Sequence, residues 1–326
     1  MAIPGLGYRV RMRDGEKIEI DGREIRLTNP DKVLFDNGIT KRELVQYYLT
    51  AAAAMVPLMR DRPVVMMRYP DGISGPRIVQ KNTPEYFPEW ISRAEVPKKD
   101  GGQVSHVICD SAATLAYLAA QACIEPHIFL SAAGSLDCAQ EVVFDLDPPG
   151  SSESFDPVRR AALVLRDVLE SELGMTSFVK TTGGHGLHVH LPLDGRAGFD
   201  GARQFARGVG DLLAARHEDT FTTSQRIRGR EGRIYVDVMR NAFAQTVVAP
   251  YGVRGRPGAP VATPLTWSEV EDASLVPDRF TLRDESARLT EISAGKDPWA
   301  GFWRRRYGIA AAERKLAALR RSAGTG

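Results

Sequence analysis

Two aspartates one residue apart, Asp145 and Asp147, close the run Glu141-Val142-Val143-Phe144-Asp145-Leu146-Asp147-Pro148-Pro149. In an extended strand successive side chains alternate between faces. The two carboxylates therefore project together, while Val142, Phe144 and Leu146 point the other way. Paired carboxylates at a strand end stopped by prolines suit a hard divalent cation, which prefers oxygen ligands. Asp-x-Asp alone is a weak signal, because aspartates facing solvent near strand ends are common. A second apolar strand, Tyr235-Val236-Asp237-Val238, carries another embedded aspartate. Three carboxylates on one sheet face point to two-metal phosphoryl transfer.

The elements able to gather these aspartates follow in order along the chain. After the strand at 141–147, Asp156-Pro157 reads as an N-cap and first-turn pair. Val158, Ala162, Leu165, Val168 and Leu169 then recur at helical spacing, with Gly174 placed to stop the helix. Strands near 175–180 and 187–193 are joined by Thr181-Thr182-Gly183-Gly184-His185-Gly186. A helix over 201–216 shows Phe205, Val209, Leu212 and Leu213 on one side, and a strand near 233–239 follows. The order is β-α-β-β-α-β, an α+β, RNA-recognition-like arrangement in which the first strand lies between the third and fourth. That topology sets Asp145 and Asp147 beside His188 on one flank and Asp237 on the other.

The flanking segments read as accessories to this core. Residues 1–30 alternate like a β meander, with Asp14-Gly15 and Asp21-Gly22 as turns. Thr40 caps a helix, with Glu43 completing a capping box, and residues 111–124 form another helix. The tail from Trp303 to Arg321 reads as a basic amphipathic helix whose Leu316 and Leu319 pack on the body. We expect one continuous unit over 1–326. Within it, 1–135 is an N-terminal α/β accessory module, 136–265 the catalytic core and 266–326 a C-terminal helical region.

Composition excludes some classes and leaves others open. The 326 residues are 43% hydrophobic and 26% charged, an ordinary globular balance. A net charge of +2 gives no electrostatic case for a nucleic-acid partner, so that case must come from local clusters. Cys109, Cys123 and Cys138 lack metal-ligand spacing and are odd in number, which favours buried thiols over a zinc site or disulfides. No apolar leader or bilayer-length apolar run is visible, and a cytoplasmic location without membrane contact is expected.

Two polar features lie next to the aspartates in this scheme. Glycines in the 181–186 turn let backbone amides approach an anion, and Thr182 can add a hydroxyl. Taken alone, the turn reads as a tight hairpin; His188, projecting with His190 just beyond it, favours a site. The run Arg226-Ile227-Arg228-Gly229-Arg230-Glu231-Gly232-Arg233 is by itself a solvated loop. Beside a carboxylate site, its arginines are fork-shaped donors for a triphosphate or a DNA backbone.

Several of these stretches carry a resemblance. FDLDPP, TTGGHGLHVHLPL, RIYVDVMRNAFAQTVVAPYGVRGRPGAPVATPLTW and TNPDKVLFDNGITKRELVQYY together resemble the polymerase domain of bacterial DNA ligase D, of the archaeo-eukaryotic primase superfamily. The resemblance spans roughly 25 to 305 and implies a template-dependent polymerase in non-homologous end joining that adds ribonucleotides readily. It implies metal binding by Asp145, Asp147 and Asp237, with manganese preferred over magnesium and two ions engaged. Thr182, Gly183 and His188, with Gly184 and His185 in the same turn, would meet the incoming NTP or dNTP. Arg230 and Arg254 match arginines near its phosphates, and His127 matches a histidine lining the nucleotide site. Lys32 and Lys41 match lysines that grip the 5′-phosphate of gapped DNA, and the loop from Lys98 to Gly102 sits where relatives bridge broken ends.

The expected protein is thus a stand-alone nucleotidyltransferase at the nucleoid, working on primer-template DNA alongside Ku and an ATP-dependent ligase. The chain departs from relatives at His185, where they often carry lysine, and at Ile78-Val79, where many carry an aromatic pair. An Asp-x-Asp glycosyltransferase and a non-catalytic RNA-recognition-like binder are the alternatives. The first would normally bring a Rossmann-like half, and the second has no reason to place three carboxylates where phosphates must come.

Overall fold

The computed structural model describes residues 10–13, 17–98, 100–148 and 155–323. Strands β1 (Val10–Arg13), β2 (Lys17–Ile20) and β3 (Arg23–Arg26) come first, followed by helix α1 (Lys41–Met59). Then come β4 (Pro63–Arg68), β5 (Ile78–Gln80), β6 (Arg93–Pro97), β7 (Gln103–Ile108), α2 (Ala112–Ala120) and β8 (Cys123–Phe129). Next are β9 (Glu141–Asp147), α3 (Asp156–Asp167) with a π-helical turn (Val168–Glu172), β10 (Phe178–Thr181), β11 (Leu187–Pro192) and α4 (Phe199–Arg216). The remaining strands are β12 (Phe221–Thr222), β13 (Ile234–Asp237), β14 (Thr246–Val248) and β15 (Pro264–Leu265). Helices α5 (Trp267–Glu271), α6 (Glu285–Ser293) and α7 (Ile309–Ala323) complete the order.

These elements form two compact units that interleave along the sequence. The first takes the described residues up to Phe129 with Thr246–Ala262 and Phe280–Pro298; the second takes Leu130–Gln245, Thr263–Arg279 and the chain from Trp299.

In the first unit β14-β8-β4-β7-β6 form a sheet with β5 on β4, and β1-β2-β3 form a separate meander. Asp21 (φ 48°) and Gly22 (φ 78°) make the expected left-handed turn between β2 and β3. The Asp14-Gly15 turn lies outside the described residues, as does Lys99 of the β6–β7 loop. Thr40 and Glu43 form the expected capping box of α1, whose Leu44, Val45, Tyr48, Leu49 and Met55 are buried. The second expected helix is shorter than its pattern. It stops at Ala120, and Ala122 adopts φ 57°, because Cys123 and Ile124 are drawn into β8 against β4.

In the second unit the sheet runs β12-β13-β9-β11-β10-β15, so β9 lies between β11 and β13 as the element order requires. Helix α4 packs on the apolar side of this sheet. A Cβ at Gly210 would lie 3.7 Å from Val236 Cγ1, and Val236 is paired with Leu146. On the opposite face Trp299 stacks on Phe302 at 5.0 Å, and both rings border His190.

Two local expectations are corrected. Asp156 is the first residue of α3 rather than its cap, because its carboxylate is taken by Arg159 and Arg160 one turn ahead. The C-terminal helix is broken: a 3-10 turn at Phe302–Arg304 precedes α7, and Phe302, Ala312 and Leu316 are the buried anchors. Cys109 and Cys123 are buried and Cys138 is half-buried, none in a disulfide. Among the described residues no helix is long and apolar enough to cross a membrane.

Candidate active site

Strand register assembles the acidic centre. Asp145 pairs with His188 of β11 on one side and with Asp237 of β13 on the other, while Asp147 pairs with Tyr235. Directly paired residues share a face, so Asp237, Asp145 and His188 form one row with Asp147 diagonal to it. His188 Nε2 lies 3.4 Å from Asp145 Oδ2, and both side chains are nearly buried. Asp237 Oδ1 accepts the Met239 amide at 2.7 Å, which holds its carboxylate at the strand end. Burial pushes the Asp147 carboxyl up to about 6, helped by the charges of Asp145 and Asp237 and opposed by Arg230 and Arg240. Burial and Asp237 also push the Tyr235 hydroxyl up to about 12.

Neighbouring carboxylate charge thus adds to burial in raising Asp147. Oxygen donors of three aspartates on one sheet face fit a hard divalent ion in chemistry and register. Among the described residues no three His, Cys, Asp or Glu side chains already stand gathered as a metal cage. Asp237 Oδ1 is instead turned toward the Met239 amide.

The glycine turn closes over this strand end. Thr182 Oγ1 accepts the amides of Gly184 and Gly186, each at 3.2 Å, and donates to the Gly186 carbonyl at 3.2 Å. The hydroxyl thus shapes the turn as well as being a candidate ligand. Gly183 takes φ 59°, which favours glycine. A Cβ at Gly186 would meet the Leu146 carbonyl oxygen at 2.5 Å and Asp147 Oδ1 at 3.4 Å, so only glycine lets the turn lie on β9. His185 is exposed at the turn's tip. Arg230 lies over the Tyr235 ring at 4.3 Å from its centroid, within electrostatic reach of Asp147.

Sequence reasoning gave His190 no role of its own and missed several other residues around this row. Lys180, fully buried, continues it beyond His188, with which it pairs. Its signal was parity, two residues before Thr182 on β10. His190 and Glu141 form a buried pair at 2.6 Å, with the His190 ring 5.7 Å from that of His188. Asn241 accepts the Val143 amide and donates to the Val143 carbonyl, both at 2.8 Å, and so continues the pairing of β9 beyond β13.

His127 and Arg254 belong to the first unit, where a third residue joins them. Glu125, two residues before His127 on β8, accepts Arg254 Nε at 2.8 Å and lies 3.3 Å from His127 Nε2. Lys32 and Lys41 are also brought together, since the Lys41 amide donates to the Lys32 carbonyl at 2.9 Å. Lys32 Nζ pairs with Asp71 at 2.7 Å, and Lys41 Nζ donates to the Thr28 carbonyl at 2.8 Å. Burial, then the charges of Lys32 and Arg68, lower the Lys41 pKa. Lys41 is therefore a buried member of a cationic cluster, not a solvated surface lysine. Ile78 and Val79 are exposed on β5.

A βαββαβ sheet with an acidic row across its central strand is the archaeo-eukaryotic primase type of fold. Residues 40–299 match the family described as LigD, primase-polymerase domain, and the chain belongs to that family. The multifunctional non-homologous end joining DNA repair protein LigD of Mycobacterium tuberculosis (strain H37Rv) is 34% identical over 262 residues, 78% of this chain and 34% of that protein. The bifunctional LigD of Bacillus subtilis is 32% identical over 283 residues, 86% of this chain and 44% of that one. The chain thus spans less than half the length of these relatives. The solved polymerase domain from Mycobacterium tuberculosis Ligase D in complex with DNA superposes with a TM-score of 0.77 at 33% identity, covering 84% of this chain and 96% of that one.

Proposed function

We propose that this protein is a template-dependent DNA/RNA polymerase that adds ribo- or deoxyribonucleotides to a primer 3′-hydroxyl and fills gaps or ends during non-homologous end joining. The observation that carries the reading is the cross-strand row of Asp237 and Asp145 with Asp147 diagonal to it. Family membership and the DNA held by the solved relative support it. Asp145, Asp147 and Asp237 would hold two divalent ions, manganese or magnesium. Such ions, when bound, activate the 3′-hydroxyl and neutralise charge on the triphosphate.

The side chains have separate tasks in this reading. His188 orients the Asp145 carboxylate through the 3.4 Å contact and presents its ring toward the nucleotide. Thr182 and the Gly183-Gly184-His185 turn, whose Gly184 amide is held by Thr182, face the phosphate oxygens, and His185 adds a charge when protonated. Arg230, steadied on the Tyr235 ring, offers a planar fork to the phosphates. Arg254 and His127 are read as further triphosphate contacts. Lys32 and Lys41 are read as the site for a 5′-phosphate on the downstream strand of a gap. Ku and an ATP-dependent ligase are the partners this role calls for, and the nucleoid in the cytoplasm is where its DNA lies.

Primer extension on a primed template with manganese or magnesium and labelled nucleotides tests the reading. Wild-type protein should extend the primer. Asp145→Ala should abolish extension while DNA binding stays within about twofold, because losing a charged ligand removes several kcal/mol of transition-state stabilisation without touching the DNA surface. Extension by Asp145→Ala at near wild-type rate refutes the carboxylate site, and sugar transfer or binding without chemistry by the wild type refutes the polymerase.

A further inference from the structure

We infer that Glu125 is the positioning residue that aims Arg254 and His127 at the incoming triphosphate. The inference rests on the nucleotidyl-transfer reading, in which these two side chains meet the nucleotide. Glu125 is 4% exposed on β8, and its two oxygens divide their work. Oε1 accepts the Tyr69 hydroxyl at 2.7 Å and the Gly255 amide at 2.9 Å. Oε2 accepts Arg254 Nε at 2.8 Å and lies 3.3 Å from His127 Nε2. A carboxylate offers about four lone-pair sites, so these four neighbours fill it. One oxygen is fixed to the framework, and the other holds the Arg254 guanidinium and the His127 ring.

The surrounding backbone is built to keep this geometry. Glu125 pairs with Met67 and His127 with Val65 across β4, while Val248 of β14 pairs with His127 from the other side. Gly255 follows Arg254 directly, and a Cβ there would lie 2.4 Å from Tyr69 Cζ. The ring that anchors the Glu125 carboxylate therefore also seats the chain that carries Arg254. A bond at Nε sets the plane of the guanidinium, whose fork is useful only when correctly oriented.

Exposure separates this arrangement from a sealed structural ion pair. The Glu125 side chain is 5% exposed, whereas Arg254 and His127 are 18% and 17% exposed, so the two side chains reach solvent above a buried carboxylate. Burial alone would raise the Glu125 pKa, but His127, Arg254 and Tyr69 outweigh it and hold the carboxyl well below the usual range. It stays ionised wherever a nucleotide would be used.

Steady-state extension, together with anisotropy of a fluorescent nucleoside triphosphate in the absence of DNA, tests the role. Glu125→Gln should raise the Michaelis constant and the triphosphate Kd about tenfold, with turnover changed less than about threefold, as expected for lost ground-state positioning. In a double-mutant cycle, Glu125→Gln should raise the Michaelis constant of Arg254→Gln by less than the about tenfold expected in wild type, because only its hold on His127 is then left to lose. A lowered melting temperature with unchanged nucleotide constants, or additive effects, overturns the inference. If Glu125→Gln does not fold, Tyr69→Phe removes one anchor of the same carboxylate and should raise the Michaelis constant at least about twofold; no change there overturns it equally. Active wild type with an unaffected Glu125→Gln refutes this role alone. Wild type that neither binds triphosphate nor extends refutes the nucleotidyl-transfer reading, and this role with it.

Discussion

Asp147 should weaken the metal-free protein at neutral pH, and Asp147→Asn should therefore stabilise it. Burial and the charges of Asp145 and Asp237 raise its carboxyl from the ordinary 3.8 to about 6. At ~1.4 kcal/mol per tenfold change in proton affinity, this corresponds to roughly 3 kcal/mol of preference for the neutral form. Partial contact with water reduces the expected stability effect to about 1–2 kcal/mol. Because the folded-state pKa is the higher one, the folded protein holds the proton more tightly between about pH 4 and 6. Stability is lost as pH rises through that window and stays low above it. Asp147→Asn removes the ionisation, so in chelator its gain over wild type should be near zero at pH 4 and about 1–2 kcal/mol at pH 7. Urea unfolding at both pH values measures it. Adding manganese should reverse the order, with wild type gaining about 2.7 kcal/mol at a hundredfold excess over Kd and the variant far less. A variant less stable than wild type at pH 7 in chelator, or equally stabilised by manganese, would refute the account of a charge-strained cation site.

Two further outcomes follow from particular contacts. Gly186→Ala should cost about 1–3 kcal/mol of stability by thermal melting and lower extension, since its Cβ meets the Leu146 carbonyl at 2.5 Å and backbone cannot step aside cheaply; an alanine variant of wild-type stability would show that the turn does not lie on β9. The Lys32→Ala/Lys41→Ala pair should abolish any preference for a gap bearing a 5′-phosphate over one ending in hydroxyl, while extension of a simple overhang persists. A preference retained by the double variant, scored on matched gapped substrates, would leave the lysines without that role.

The parts of the site legible in the sequence are those set by local geometry. Strand alternation is a property of the covalent backbone, so the shared face of Asp145 and Asp147, and of His188 and His190, could be read directly. The βαββαβ order then placed β9 between β11 and β13, because few connections satisfy that order. The capping box at Thr40 and Glu43 and the Asp21-Gly22 turn were visible for the same local reason. Local rules failed where a partner competed: the Asp156 carboxylate went to Arg159 and Arg160, and the end of the α2 pattern went to β8.

The sequence by itself determined which residues could act and which of them share a strand face. Only the tertiary structure decided what holds them. Arg254 reaches Glu125 from 129 residues away, and Asn241 clamps Val143 from 98. No periodicity records such pairs, because they form only when the whole chain has closed and buried polar groups have found donors and acceptors. The same holds for β14 and α6, which follow the catalytic strands in sequence yet pack in the first unit. Alternation is written residue by residue into the backbone, whereas the choice of distant partners belongs to the packing free energy of the folded chain.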